Sequence, residues 1–337
     1  MAAAPPLSVL LPVRNGAAHL APALESLFAQ SYSSFEIVAV DDGSEDATPH
    51  LLRDLALRDS RLRVLSQEPR GIVPALELAR SRAEGRYLAR MDADDVALPE
   101  RFERQMDLVA SERRIVACGT RISYFPRSVV RAGARRYEAW INALVDHESM
   151  ERDLFVECPI PHPTLLVRAD VLELLGGYRD RGWPEDYDLV LRLWEAGARF
   201  GKVPEILLRW REGRDRLSRT DAVYSPESFL RCKVHFLLRT HLRNERRVMV
   251  WGAGPVGKAF ARELVRQGGR LVAFADLDPR KVGQEIHGVP VVHPEQASRY
   301  TDVFSVAAVA QPGAREKIRE DLTARGRRQN IDFVAVA

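Results

Sequence analysis

The sequence predicts an α/β protein of two units: a larger one built on a mainly parallel sheet, and a smaller Rossmann-like one. Three observations predict this. Short apolar runs alternate with helical stretches over the first 120 residues; a second alternation, carrying a glycine-rich turn, begins at Val248; and 337 residues exceed what one compact core usually needs. Runs of this kind joined by helices imply right-handed crossovers and a parallel sheet covered on both faces.

Taken in order, Leu7–Leu11 is the first strand, followed by the turn Pro12-Val13-Arg14-Asn15-Gly16 and a helix within Ala18–Gln30. Phe35–Val40 is the second strand and stops abruptly at Asp41-Asp42-Gly43. The next helix has Ser44 as its expected cap and Leu51, Leu52 and Leu55 as its buried stripe. Leu62–Leu65, a helix over Ile72–Ala83, and Tyr87–Met91 follow, the last ending at Asp92; Pro99 is expected to open another helix. Between Arg113 and Tyr178 the pattern is less regular: Val129–Val145 is basic and then mixed, and Glu157–Pro163, with three prolines and His162, reads as a loop or edge strand. Gly182–Ala196 opens with Trp183-Pro184-Glu185-Asp186 and continues as a helix, and Pro226–Arg243 reads as a basic helix.

The texture then changes. Val248–Trp251 is a strand, Gly252-Ala253-Gly254-Pro255-Val256-Gly257 leads into a helix, and Leu271–Ala275 is a strand ending at Asp276. Strand, G-x-G-x-x-G, helix, strand and an acid roughly 20 residues on is the dinucleotide-binding layout. The expected division is therefore residues 1–225, a basic linker helix over 226–246, and a Rossmann-like domain over 247–337.

Composition narrows the class. The chain is 46% hydrophobic and 29% charged, which is globular, and its net charge of +3 gives no reason to expect nucleic acid. Cys118, Cys158 and Cys232 are too few and too scattered for a disulfide framework or a zinc pattern. The longest stretch free of Lys, Arg, Asp and Glu, Met1–Val13, is short of the roughly 20 residues a membrane span needs and lacks a basic start. A soluble, cytoplasmic protein is expected.

The strand ends carry the chemistry, because ligands of open parallel sheets bind beyond the carboxyl ends of the strands. Here those ends present Arg14-Asn15, Asp41-Asp42 and Asp92-Ala93-Asp94-Asp95. Such acids can simply cap helices, but three polar ends together favour a site. Two carboxylates one residue apart in extended chain point to the same side and repel, an arrangement that a hard divalent ion makes favourable. Mg²⁺ or Mn²⁺ is usually held this way, with substrate phosphates completing the shell. Arg90 just before the pair and Pro99 after it speak against a merely solvated turn.

At these residues a resemblance enters. SVLLPVRNG, FEIVAVDDGSEDAT and GRYLARMDADDVALPERFERQ resemble the start of a family 2 glycosyltransferase of the A-type fold. PHPTLLVR, GGY and WPEDYDLVLRLWEAGARFGKVPEILLRWR are similar to that family's acceptor half, so the likeness covers about residues 7–245. It implies an inverting transferase that moves a sugar from a nucleoside-diphosphate sugar to an acceptor hydroxyl, saccharide or lipid-linked, in cell-surface polysaccharide or glycoconjugate synthesis. Pro12, Val13, Arg14 and Asn15 would lie against base and ribose, and Asp42 would accept from the base. Asp92 would lie near ribose and metal, with Arg90 and Ala93 in the same donor site. Asp94 would be the direct ligand of Mn²⁺ or Mg²⁺. An acceptor hydroxyl attacks well only as its proton leaves, so a carboxylate must stand within reach. Asp186 aligns with the family's catalytic acid and is the expected base, with Glu185 second, orienting the acceptor. Many relatives carry a histidine after the Trp-Arg run; Arg209-Trp210-Arg211-Glu212-Gly213-Arg214 has none. The third ligand would then be water or Glu212, or the basic residues would hold the diphosphate. His162 is expected to shape the acceptor pocket or pack in its loop.

The C-terminal unit resembles small Rossmann-type domains that accompany polysaccharide enzymes. Running from Arg247 to about Val292, the likeness implies a second nucleotide or nucleotide-sugar site, with a regulatory use, at Gly252, Gly254 and Gly257, with Asp276 accepting from a ribose hydroxyl; the other reading is a purely structural Rossmann remnant. Residues 247–337 leave no substrate domain and carry no hydride-transfer constellation, so no NAD requirement is expected. The basic helix is expected to brace the two domains with solvated charges; its other use would be to lie on an anionic membrane at the cytoplasmic face. A different class of reading is a nucleotide-sugar sensor whose transferase half has lost activity.

Overall fold

The computed structural model describes residues 5–213 and 216–337. Two compact units share the chain. The first takes the described residues up to His147, Pro159–Arg181 and the described residues of Asp188–Thr220; the second takes Glu148–Cys158, Gly182–Tyr187 and Asp221–Ala337. The basic helix thus clusters with the C-terminal residues and with two segments from earlier in the chain.

In chain order the elements are β1 (Leu7–Val13), α1 (Leu20–Phe28), β2 (Phe35–Asp42), α2 (Thr48–Arg58), β3 (Leu62–Gln67), α3 (Ile72–Arg82), β4 (Tyr87–Arg90), β5 (Val96–Ala97), α4 (Arg101–Ser111), β6 (Ile115–Phe125), α5 (Ala132–Ala143), α6 (His147–Arg152), β7 (Leu166–Arg168), α7 (Ala169–Leu174), α8 (Glu185–Glu195), β8 (Arg199–Arg211) and α9 (Leu217–Thr220). The strands form one sheet in the order β3-β2-β1-β4-β7-β6-β8-β5. β1 pairs in parallel with β2 and β4, β2 with β3, and β6 with β8, while β7 and β5 enter antiparallel. β1 is buried on both faces, as a central parallel strand should be. Val9, Leu11 and Val13 on one face join Leu20, Leu24 and Leu27 of α1 in the main apolar cluster.

Strands β5 to β8 of this sheet lay outside the sequence reading. β8 contains Gly201, Lys202 and Pro204 within its thirteen residues and so lacks a clean alternation. The register against β6 shifts where Pro204 and Glu205 fall, between Val203 opposite Thr120 and Ile206 opposite Arg121. Ser44 is a second correction. α2 starts at Thr48 with Ala47 at its cap, and the Ser44 hydroxyl accepts the Asn15 amide instead (2.8 Å).

In the second unit, α10 (Pro226–Arg239) precedes β9 (Arg247–Trp251), α11 (Pro255–Arg266), β10 (Arg270–Ala275), β11 (Glu285–Ile286), β12 (Val289–Val292), β13 (Val303–Ala307), α12 (Ala314–Ala324) and β14 (Phe333–Ala335). The sheet order is β11-β12-β10-β9-β13-β14, with β12 to β14 all parallel. The helix expected over Pro226–Arg243 ends at Arg239, and its charges are not all solvated. Lys233 is buried and its ammonium donates to the carbonyls of Val156 (2.6 Å) and Val336 (3.0 Å). Phe236 and Leu237 are buried as well, so the apolar face of α10 is used inside the fold. Among the described residues no helix is long and apolar enough to cross a membrane.

Candidate active site

β1 lies between β2 and β4, which sets three carboxyl ends side by side: Val13 is in register with Asp41, and the Met91 amide donates to Leu10 (3.1 Å). Two of the turns beyond these ends are stitched together. Asn15 takes a left-handed backbone (φ 49°), its side chain accepts the Glu45 amide (2.9 Å), the Gly16 amide donates to Thr48 Oγ1 (2.8 Å) and the Ala17 amide to Asp46 Oδ2 (3.1 Å). Arg14 is exposed above this turn.

Asp42 is buried, and its carboxylate already accepts from Gln67 Nε2 (2.6 Å) and from the amides of Arg70 (2.8 Å) and Gly71 (2.8 Å). It fixes the entry into α3, where Gly71 needs a φ of 95°. A carboxylate offers about four acceptor positions, so one is left for a ligand.

The third turn runs from β4 to β5, and its two ends are held by different neighbours: β4 pairs with β1, β5 with β8. Within it the carboxylates of Asp92, Asp94 and Asp95 gather with oxygens all within 4.8 Å of one another. Arg90, almost fully buried, pairs with Asp92 at 2.6 Å. Asp95 is 1% exposed; its Oδ1 accepts the Arg211 amide (2.7 Å), whereas its Oδ2 is buried and has no hydrogen-bond partner. Burial pushes the Asp95 carboxyl well above its ordinary range, and the charges of Asp92 and Asp94 push the same way. Asp94 is raised by burial and by Asp92, against the pull of Arg216 and Arg211. Three crowded carboxylates, one oxygen of them orphaned in the interior, fit a hard cation.

Around them stand arginines. The Arg211 side chain donates to the Asp94 carbonyl (2.8 Å) and covers the Phe125 ring at 4.5 Å. Arg216 lies over Trp210 at 4.4 Å and bonds Glu212 (3.2 Å), which also receives Arg219. Glu212 is therefore held by two guanidinium groups rather than joined to the aspartate cluster. Arg101, fully buried on α4, donates to the Arg90 carbonyl (2.7 Å), and burial pulls its pKa down to about 9. Asp95 was read with the strand-end acids but given no role of its own, and Arg101 and Arg216 were not among the expected site residues; the Asp94-Asp95 repeat and the basic run beyond Trp210 were the available signals. Arg214 lies outside the described residues. His162 is buried with its ring nitrogen 3.1 Å from the Tyr178 hydroxyl, and burial, with Arg90 adding to it, holds its pKa well below the ordinary imidazole value.

Glu185 and Asp186 begin α8, in the segment Gly182–Tyr187 that packs with the second unit. Glu185 is 2% exposed and its Oε2 accepts the Tyr224 hydroxyl (2.7 Å). Asp186 is half-buried and its Oδ1 accepts the Tyr187 amide (2.7 Å). In the C-terminal domain Gly252 has a φ of 110°, and a methyl on Gly257 would sit 1.8 Å from the Gly252 carbonyl oxygen. Asp276 faces that turn but is occupied within it: it accepts the amides of Ala253 (2.7 Å) and Asp278 (2.8 Å) and the Lys281 ammonium (3.0 Å).

Residues 8–175 match the family model described as glycosyl transferase family 2. A protein named as a glycosyltransferase, EpsE of Bacillus subtilis (strain 168), is 31% identical over 230 residues, 67% of this chain and 80% of its own length. The chain belongs to glycosyl transferase family 2. The amylovoran biosynthesis glycosyltransferase AmsE of Erwinia amylovora is 29% identical over 67% of this family 2 chain and 88% of its own. In fold, the chain resembles S. aureus TarS 1-349, solved with UDP-GlcNAc, with a TM-score of 0.57 and 19% identity over 77% of this chain and 72% of that one. The mannosyltransferase PcManGT of Pyrobaculum calidifontis, solved with GDP-Man and Mn²⁺, gives 0.51 and 18% over 70% and 63%. Residues 243–327 of this glycosyltransferase match the model described as a CoA binding domain.

Proposed function

We propose that this glycosyltransferase moves a sugar, with inversion, from a nucleoside-diphosphate sugar to an acceptor hydroxyl during assembly of a polysaccharide or glycoconjugate. The observation that carries this reading is the aspartate cluster with its orphaned Asp95 oxygen beyond the ends of β1, β2 and β4. The names of AmsE and of the O-antigen biosynthesis glycosyltransferase WbnJ of Escherichia coli support the biosynthetic setting.

Asp94 and Asp92, with Asp95, would hold a divalent cation, Mn²⁺ or Mg²⁺. When bound, such an ion supplies Lewis-acid neutralisation of the diphosphate. The Pro12–Asn15 turn and Ala93 bound the space for base and ribose, and Asp42 keeps the Arg70–Gly71 turn in place beside it. Arg90 orients Asp92 through their ion pair. Arg211 and Arg216 add positive charge where the nucleoside diphosphate departs, a role for the basic run that lacks a histidine. Asp186 takes the proton of the acceptor hydroxyl. The acceptor oxygen, as it loses that proton to Asp186, forms the new bond to the anomeric carbon from the face opposite the leaving group, and the old bond's electron pair leaves with the diphosphate. Glu185, held by Tyr224, sets the first turn of α8 and with it the direction of Asp186.

A screen of UDP-, GDP- and dTDP-sugars with Mn²⁺ tests this. Turnover of at least one donor is expected, with the anomeric configuration inverted in the product and transfer lost in Asp186→Asn. Retention of configuration, or full activity in that variant, overturns the assignment.

A further inference from the structure

The C-terminal domain holds a cavity of about 970 Å³, lined among others by Trp251, Gly254, Val309, Lys317, Ile318 and Arg325. It opens between the ends of β9 and β13, the neighbours at which the strand order reverses. Two independent observations point to an occupant. The Trp251 indole N–H is buried beside the cavity without a hydrogen-bond partner, in a residue only 4% exposed. Next to the cavity, a second hollow is lined by Gly254, Pro255, Lys258, Arg262 and Lys281. Neither Lys258 nor Arg262 has an ion-pair partner among the described residues, and they stand four residues apart on one side of α11, whose cap Gly254 supplies no side chain to its free amides. A methyl built on Gly254 would meet nothing within 4 Å, so the space above those amides is open. One arm is thus cationic and sized for phosphates, the other largely apolar and beside an aromatic ring. Asp276, the acid that would read a ribose hydroxyl, lines the cavity and already accepts from Ala253, Asp278 and Lys281, which leaves it about one acceptor position. Recognition therefore rests mainly on the phosphates and the apolar body.

The same domain grips the segment that carries Asp186. Gln267, at the end of α11, donates to the Arg231 carbonyl on α10 (3.1 Å), and the Arg231 guanidinium donates to the Gly182 carbonyl. Trp183 packs on His235 at 5.2 Å between ring centres, and the Tyr187 hydroxyl donates to Leu154 (2.7 Å), next to residues held by α10 and α12. α11 therefore has the anion hollow at one end and the Gln267–Arg231–Gly182 chain at the other.

We propose that this domain is a regulatory site for a phosphorylated nucleotide, its phosphates at Gly254, Lys258 and Arg262 and its body beside Trp251, and that occupancy sets the Gly182–Tyr187 segment through α11 and Arg231. The regulatory half rests on the reading of Asp186 as the base.

The test uses the full chain with ADP, coenzyme A and inorganic pyrophosphate as probes, followed by calorimetry and by hydrogen exchange. ADP or coenzyme A should bind at least about tenfold more weakly to the Lys258→Glu/Arg262→Glu variant and equally well to Asp94→Ala. The bound nucleotide should slow exchange at the amides of 182–187 about fivefold, within the usual range of site-to-site coupling, and the effect should vanish in Arg231→Ala and in Gln267→Ala. No binding, binding indifferent to the charge reversal, pyrophosphate binding as tightly as either nucleotide, or unaltered exchange each overturns the proposal. If Asp186→Asn keeps transferring sugar, the base assignment falls while the binding and exchange results still stand.

Discussion

Asp94→Asn is expected to make the metal-free protein more stable while removing its response to Mn²⁺. The carboxylates of Asp92, Asp94 and Asp95 lie within 4.8 Å of each other. Two unit charges at that separation repel by about 3 kcal/mol at the effective dielectric of about 20 suited to such sites. Arg211 and Arg216 offset part of this for Asp94 in the wild-type chain, where burial and Asp92 still leave its carboxyl raised. A net gain of about 1 kcal/mol for the amide remains, which is about 2–4 °C in melting temperature for a unit of this size. In the wild type, Mn²⁺ at a hundredfold excess over its Kd adds about 2.7 kcal/mol, or roughly 5–10 °C. Thermal melts of both proteins with EDTA and with Mn²⁺ give all four values. The reasoning is refuted if the variant melts lower without metal, or if it keeps the Mn²⁺-dependent rise.

Asp186→Asn should lower kcat for transfer by about 10²–10⁴ and leave donor affinity unchanged, as single-turnover and donor-titration measurements would show. Gly257→Ala should cost more than about 3 kcal/mol, because its methyl meets the Gly252 carbonyl at 1.8 Å; a near-native denaturation midpoint would contradict the tight turn. His241 stacks on Phe304 (5.4 Å between ring centres), and burial, with Arg246 adding to it, lowers its pKa to about 4. Since the folded value lies below the unfolded 6.5, this stabilisation is complete above pH 6.5 and is lost as pH falls through about 4. The loss is on the order of 3 kcal/mol. Urea unfolding between pH 7.5 and 4 should show a shallower decline for His241→Phe than for the wild type, and equal slopes would exclude the effect.

How much of this could be read from residues alone depended on periodicity. β1 to β4 and the helices between them stood out because central parallel strands are continuous apolar runs bounded by polar turns, and the same holds for β9 and β10. β6 and β8 did not, since Gly201, Lys202 and Pro204 interrupt β8, and its pairing with β6 is long-range. The acids at the strand ends were legible as a group, but their division of labour was not. Nothing local shows that Asp42 is committed to Arg70 and Gly71, or that Asp95 receives the Arg211 amide. Those partners lie on other turns and become neighbours only when the sheet closes. Asp95 was visible in the run of aspartates, yet its importance comes from an interior position that only folding creates.

The way α10, Glu148–Cys158 and Gly182–Tyr187 belong to one body with the C-terminal residues bears on how such proteins can be recombined. A chain ended at residue 246 would strand the Lys233 ammonium without the Val336 carbonyl, Asp153 without Arg319, and the Arg152 carbonyl without Gln329. The nucleotide-type module is thus no detachable cassette. Chimeras that exchange it between relatives would have to carry both upstream stretches along with it, and crossovers placed in the apparent linker should yield insoluble or inert products.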